Sequence, residues 1–437
     1  MLALAENDVL LIKQEGSRFA KWHLTPPLQP GRRVKLSYGT FLSANDLIGK
    51  NVLEKIKDET GRKMEVQKPS LAGYVVHSKR IATPIYPQDA ATIVSLLDLH
   101  PTRYGEEDED GVDVEGEKDT NRTVDSTPFE IFEAGTGMGS LTLHIARAIH
   151  AANPPTPRSL RSALPRSFLL SSSAPAQPDA QPSSPSTPPS SSSPSPLGGL
   201  EPSEQVDLET YRSKRRAILH TLDKNEKHSL EAYKFVRNFN RAQYLPSIDF
   251  YTNTSISSFF ESRLSTSRTP FLARAILDLP GAHTLATPVL ESLLPGGLLV
   301  VFAPSISQIA QFQQWSVDTK QNARLERVLE LPTSIASETT PDSGAGGRPW
   351  EVKVVRAREE GARTGEWVQV MRPRVGDRVA GGGFVAVLRK MGANLEPDGV
   401  EAETLTSSGG EDSGIGELEI EDGNGESVQE AQEAKTI

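Results

Sequence analysis

The segment Glu133-Ala134-Gly135-Thr136-Gly137-Met138-Gly139-Ser140 constrains this chain more than any other stretch of it. A short apolar run, Phe129–Phe132, precedes it, and apolar residues at helical spacing follow from Ser140 to His150. Strand, glycine turn and helix in that order make the repeating unit of parallel α/β sheets. Glycines there let the backbone turn tightly and come close to a ligand, and the helix beyond presents unpaired N–H groups.

The spacing of the glycines narrows the ligand. Dinucleotide folds use G-x-G-x-x-G to hold a pyrophosphate. Here the pattern is G-x-G-x-G, with Glu133 two residues ahead of the first glycine. That variant suits a ligand whose end is not a phosphate: the amino-acid end of S-adenosylmethionine over the turn, its ammonium facing Glu133. A bare turn and an NAD site are the alternatives. Two further acids fall where such a ligand needs them. Asp223 follows the strand-like Ala217–Thr221, where an acid accepts ribose hydroxyls. It lies 84 residues past Gly139, or 32 once a 52-residue Ser/Pro-rich stretch is set aside. Asp278 follows Ala275–Leu277, at the carboxyl end of a strand, where ligands of open α/β sheets bind. Pro280 stiffens the turn after it.

The surrounding chain supports an α/β, Rossmann-like sheet with a small N-terminal β module and disordered inserts. Residues 1–78 form the module, with short runs at Asp8–Lys13, Arg33–Ser37 and Leu71–His77 between turn residues. Residues 79–393 form the α/β domain. Helical spacing marks 86–100 and His228–Asn240; strands are expected at Ile248–Tyr251 and Leu298–Phe302. The runs Trp350–Val355, Glu366–Met371 and Gly383–Leu388 read as a terminal antiparallel pair on the sheet edge. Residues 102–126 and 153–204 read as disordered inserts and 394–437 as a disordered acidic tail, because none can bury enough apolar surface to offset its ordering entropy. A shorter Ser/Gly stretch, 337–347, interrupts the C-terminal half.

The formal charge of −10 over 437 residues hides a division. Residues 106–119 carry −8 and residues 395–437 carry −12, so the remaining chain stands at +10. A basic body favours a polyanionic partner. Candidate phosphate contacts are Arg32, Arg33 and Lys35 in the module and Lys214, Arg215 and Arg216 before the second strand. The absence of cysteine excludes disulfides and thiolate metal sites and fits a reducing compartment. No apolar run approaches the ~20 residues of a membrane span. No His/Asp/Glu group has metal spacing, and Met1–Glu6 has no leader-like pattern. His144 and His150 read as packing or surface residues, Phe235 and Phe239 as core.

Six segments in order resemble the catalytic subunit of tRNA (adenine-58-N1)-methyltransferase, a class I S-adenosylmethionine-dependent methyltransferase family. They are Asn45–Lys50, Ile85-Tyr86-Pro87-Gln88-Asp89, Glu133–Ser140, Leu277-Asp278-Leu279-Pro280, Arg348-Pro349-Trp350-Glu351-Val352 and Met371-Arg372-Pro373. The resemblance implies cofactor contacts at Ile85, Tyr86, Gly135, Gly137, Met138, Gly139 and Ser140. It implies a ribose acid at Asp223, with His228 where the family often has arginine, and an adenine contact at Asn253. Asp278 matches the acid between cofactor and target base. Departures fall at Thr83, Ala282-His283 and Gly381-Gly382-Gly383. The implied reaction is methylation of N1 of adenine-58 in tRNA; a non-catalytic, RNA-binding or partner subunit, and a methyltransferase for another substrate, are the alternatives. Implied partners are tRNA and either a related non-catalytic subunit or further copies of the chain, with no membrane and no metal. The implied compartment is the nucleus, with the mitochondrion as alternative.

Overall fold

A computed structural model describes residues 3–16, 21–36, 39–52, 54–104, 127–171, 193–266, 269–336, 350–356, 365–373 and 378–392. All lie in the first of two units, 1–395 and 396–437. Of the inserts and tail expected at 102–126, 153–204, 337–347 and 394–437, residues 105–126, 172–192, 337–347 and 394–437 lie outside the described residues.

Apolar runs with β-branched residues become a seven-stranded sheet. Its strands are β1 Phe129–Ala134, β2 Ala217–Leu222, β3 Ile248–Tyr251, β4 Leu272–Leu277, β5 Leu293–Ala303, β6 Ala323–Leu331 and β7 Gly383–Lys390. The order across the sheet is β3-β2-β1-β4-β5-β7-β6. The first five run parallel, and β7 is antiparallel to both β5 and β6. Alternation sends Ile131, Leu219 and Ile276 to one face and Phe132, Leu222 and Leu277 to the other. The first face packs on α1 Pro87–Leu96, α2 Ser140–Ile149 and α3 Glu226–Asn238. The second packs on α4 Ile256–Thr266, α5 Ala286–Ser292 and α6 Ile306–Asp318. The strand order reverses at β1, between β2 and β4. In doubly wound sheets, that reversal opens a crevice at the carboxyl ends of the strands.

The N-terminal residues fold into an antiparallel four-stranded sheet in the order His23–Leu24, Leu11–Gln14, Lys63–Gln67, Ile56–Lys57. Arg33–Lys35 pairs with Phe41–Ser43 beside it. The module has its own apolar core, including Leu10, Ile12, Val34, Leu42 and Val66. The motif Asn45–Lys50 lies here, and the Gly49 N–H bonds the Leu4 carbonyl at 2.8 Å.

Several expectations are corrected. Leu71–His77 is a helix, not a strand: the Ser70 hydroxyl caps the Gly73 N–H, and Leu71, Tyr74 and Val75 enter the main core. The disordered insert read over 153–204 is corrected in its described parts. They hold the helix Arg158–Ala163, the strand pair Phe168–Leu169 with Leu197–Gly198, and the start of the helix Pro202–Ser213. Leu160, Leu164 and Leu208 anchor these pieces to the core. The antiparallel pair on the sheet edge is β6 with β7. Trp350–Arg356 and Trp367–Pro373 pair with each other in a separate ribbon.

Arg215 is also corrected as a phosphate contact. It is buried, and its Nη1 and Nη2 donate to Asp249 Oδ1 and Oδ2 at 3.0 and 2.7 Å. Burial acts to raise the Asp249 pKa, but Arg215 and Arg212 hold it down to about 2. Arg33 is engaged as well, donating to both oxygens of Glu59 at 2.8 and 2.5 Å. Phe235 and Phe239 are core, as expected.

Candidate functional site

The glycine turn caps β1 and packs against the end of β4. The Gly135 N–H donates to the Leu222 carbonyl and the Asp278 N–H to the Ala134 carbonyl, both at 2.9 Å, stitching β2, β1 and β4 together at their carboxyl ends. Gly135 has φ of +99°, and a Cβ there would lie 1.9 Å from the Asp278 carbonyl oxygen. Only glycine fits. Gly139 (φ +86°) is the N-cap of α2, and a Cβ there would press on Ala232 of α3 at 3.1 Å.

Three carboxyl groups serve this turn in different ways. Asp223, just past β2, accepts from the Gly137 N–H through Oδ2 and from the Asn225 N–H through Oδ1, at 2.9 and 2.8 Å. His228 Nδ1 is 3.3 Å from Oδ2. Glu133, in β1, is 1% exposed. Its Oε2 accepts from Thr142 and Thr221 hydroxyls at 2.7 and 2.8 Å. Thr221 spends its one proton there, so the Thr136 hydroxyl, 2.7 Å away, donates to Thr221. Burial pushes the Glu133 pKa up to about 8 against those two hydrogen bonds, and the Asp278 and Asp223 carboxylates push it the same way. Asp278, half-buried past β4, is pushed up to about 7 by burial and by Asp223. Two of the three acids are thus poised to lose a proton when a cation arrives.

The loop before α1 closes over the turn. The Ser140 hydroxyl donates to the Ile85 carbonyl at 2.6 Å. Tyr86 is the N-cap of α1, with Pro87 in the first helical position, and its ring packs on Val76. The Arg80 guanidinium carbon lies 5.4 Å from the Tyr86 ring centre. The structure therefore gathers Ile85, Tyr86, Gly135, Gly137, Gly139, Ser140, Asp223, His228 and Asp278 around one sheet edge. Met138 turns its side chain into the core, leaving only backbone to the turn. Asn253 is exposed just past β3 with φ of +56°, at the same edge but two strands from β1.

Sequence reasoning missed the relay of Thr136, Thr221 and Thr142, whose members contact residues up to 88 positions away. It also missed the tie between Asp89, in the first turn of α1, and the Gly382 N–H, which Asp89 Oδ2 accepts at 3.0 Å. A Cβ on Gly381 would stand 2.5 Å from that oxygen. His144, on α2, is held neutral: burial pushes its pKa down to about 4, although it meets the Ser140 carbonyl at 2.8 Å. Among the described residues no three His, Asp or Glu side chains gather as a metal-holding group, and no helix is long and apolar enough to cross a membrane.

No protein-family model matches the chain. Over 94 residues, 22% of its length, it is 35% identical to the tRNA (adenine(58)-N(1))-methyltransferase TrmI of Thermus thermophilus, in each of two strains. That match covers 27% of those relatives, so the chain spans about a quarter of the length of the curated proteins it matches. Among solved structures it is similar to an S-adenosylmethionine-dependent O-methyltransferase of Thermotoga maritima, at 14% identity and a TM-score of 0.50, over 90% of this chain and 97% of that one. A TrmI structure from Aquifex aeolicus is 14% identical, with a TM-score of 0.46 over 90% and 100% of the two chains. The likeness to the Thermotoga structure shows that this chain has the Rossmann-like fold of class I methyltransferases.

Proposed function

We propose that the chain transfers a methyl group from S-adenosylmethionine to N1 of adenine-58 in tRNA. One observation carries the cofactor half: the Gly137 N–H, which a phosphate-binding turn would present to its ligand, is taken by the carboxylate of Asp223. With that N–H taken by a carboxylate the turn disfavours a pyrophosphate, and Glu133 and Asp278 can ionise to meet a cation bearing hydroxyl donors. S-Adenosylmethionine has an ammonium, a sulfonium and a ribose diol, and it fits that set. Gly135 and Gly139 would give it bare backbone, Asp223 would accept from its ribose, and Glu133 would ionise to meet its ammonium. The substrate half rests on the partial likeness to the Thermus enzymes and on the ordered motifs from Asn45 to Pro373.

When bound, the cofactor supplies an electrophilic methyl group on a positively charged sulfur. The residues then have to align rather than to activate. Adenine N1 already carries an in-plane lone pair, so no strong base is required. Asp278 would accept a hydrogen bond from the exocyclic amino group, which fixes the ring and stabilises the positive charge growing on it. Because N1 lies on the pairing edge, the base must leave its stack, at a cost of roughly a few kcal/mol. Tyr86 and the loop that Ser140 holds down would wall the cofactor from solvent. The proposal extends to assembly with a related non-catalytic subunit or with further copies of the chain, and to residence in the nucleus.

The test is transfer of labelled methyl to unmodified tRNA by the wild-type chain and by Asp278→Ala. The variant is expected to lose transfer while its calorimetric affinity for S-adenosylmethionine stays within about tenfold. Near-wild-type turnover by the variant overturns the role given to Asp278.

A further inference from the structure

Resting on the reading of the chain as a tRNA methyltransferase, we infer that the tRNA backbone docks in a lysine-rimmed cleft beside the cofactor turn, between residues 79–81 and the outer face of α3. The cleft has a volume of about 490 Å³, and its lining includes His228, the residue that reaches Asp223. It therefore adjoins the acidic site. Lys79, Lys227 and Lys234 rim it. All three are exposed, and Lys79 and Lys227 have no ion-pair partner among the described residues. The one carboxylate in the lining, Glu231, lies 2.6 Å from Lys234 Nζ and answers only one of the three charges. The aliphatic part of the lining is Leu230 and Ile81, which is 40% exposed.

Charge and spacing select the occupant. Lys227, Leu230, Glu231 and Lys234 follow the i, i+3, i+4, i+7 pattern of one helix face. At 1.5 Å per residue, the two lysines stand roughly 10 Å apart along the axis. That is more than one nucleotide step along a strand, so the two lysines can meet different phosphates. A row of cations beside an aliphatic lining suits a nucleic-acid strand, with phosphates on the rim and sugars against Ile81 and Leu230. In the two basic clusters that the sequence offered, Arg215 is committed to Asp249 and Arg33 to Glu59. The opposite signs of cleft and site also separate their ligands: the acids take the cationic cofactor, the lysines the polyanion.

The test measures binding of an unmodified tRNA transcript by fluorescence anisotropy at a series of salt concentrations, and of S-adenosylmethionine by calorimetry. The proteins are the wild-type chain, the triple variant K79Q/K227Q/K234Q and the triple variant K79R/K227R/K234R. The glutamine variant should bind tRNA at least tenfold more weakly at moderate salt. Its slope of log affinity against log salt should be smaller by about two, at 0.7–0.9 per lost phosphate contact. Its affinity for S-adenosylmethionine should stay within twofold, and the arginine variant should bind tRNA like wild type. An unchanged affinity and slope, with wild type binding tRNA, overturns the cleft and leaves the methyltransferase reading standing. A parallel loss of S-adenosylmethionine binding also overturns it, by assigning these lysines to the cofactor pocket or to the fold. A wild-type chain that binds S-adenosylmethionine but no tRNA overturns both.

Discussion

Burial raises the proton affinity of both Glu133 and Asp278. In the role proposed for it, Asp278 must be ionised to accept a hydrogen bond from an amino group, and its pKa is pushed up to about 7 by burial and by Asp223. Methyl transfer by the wild-type chain should therefore climb as pH rises through about 7, and a rate profile from pH 5.5 to 8.5 checks it; a flat profile contradicts the role. Glu133 affects stability instead. Its pKa is about 8 in the fold against an ordinary 4.5, so the folded chain holds a proton that the unfolded chain releases between those values. The contribution is fully present below about pH 4.5 and is lost as pH rises through about 8. Glu133→Gln keeps the shape and removes the titration. Relative to wild type, the variant should gain on the order of a few kcal/mol between pH 5 and pH 9 in urea unfolding, because holding one proton costs about 1.4 kcal/mol more for each rise of one in pH. No relative gain would mean that Glu133 is ionised in the free protein.

At the scale of elements, local patterns were legible and pairings distant in sequence were not. The glycine turn, β1, β3 and the start of α2 could be read directly, because apolar runs and glycines declare themselves within ten residues. Leu71–His77 misled because Val75-Val76 reads as a strand, while the decisive contact is the Ser70 cap on Gly73. β6 was missed because the charges in Ala323–Leu331 disguise an edge strand that gains its partner only from β7. The threonine relay and the Asp89–Gly382 tie, the latter spanning 293 positions, leave no mark in local sequence. Arg215 shows the same limit, since its neighbours Lys214 and Arg216 make it look like part of a basic surface. It instead fixes the start of β2 to β3 through Asp249. Arg215→Ala leaves that carboxylate buried without its main partner and should destabilise the chain by about 3–5 kcal/mol in urea unfolding. A loss below about 1 kcal/mol would contradict the pairing.

Over the whole molecule, the order β3-β2-β1-β4-β5-β7-β6 places the turn, Asp223 and Asp278 on one edge and leaves the lysine cleft beside them. The net charge of −10 does not describe that surface, because −20 of it lies in residues 106–119 and 395–437. The proposed reaction at this edge is methylation of an adenine of tRNA on its pairing face. The most direct measurement incubates the chain, alone and with a candidate second subunit, with S-adenosylmethionine and unmodified tRNA, then maps the product nucleoside by mass spectrometry. The expected product is 1-methyladenosine at position 58, absent with Asp278→Ala. Full cofactor binding without methyl on tRNA in either mixture, or methyl at another atom, would contradict it.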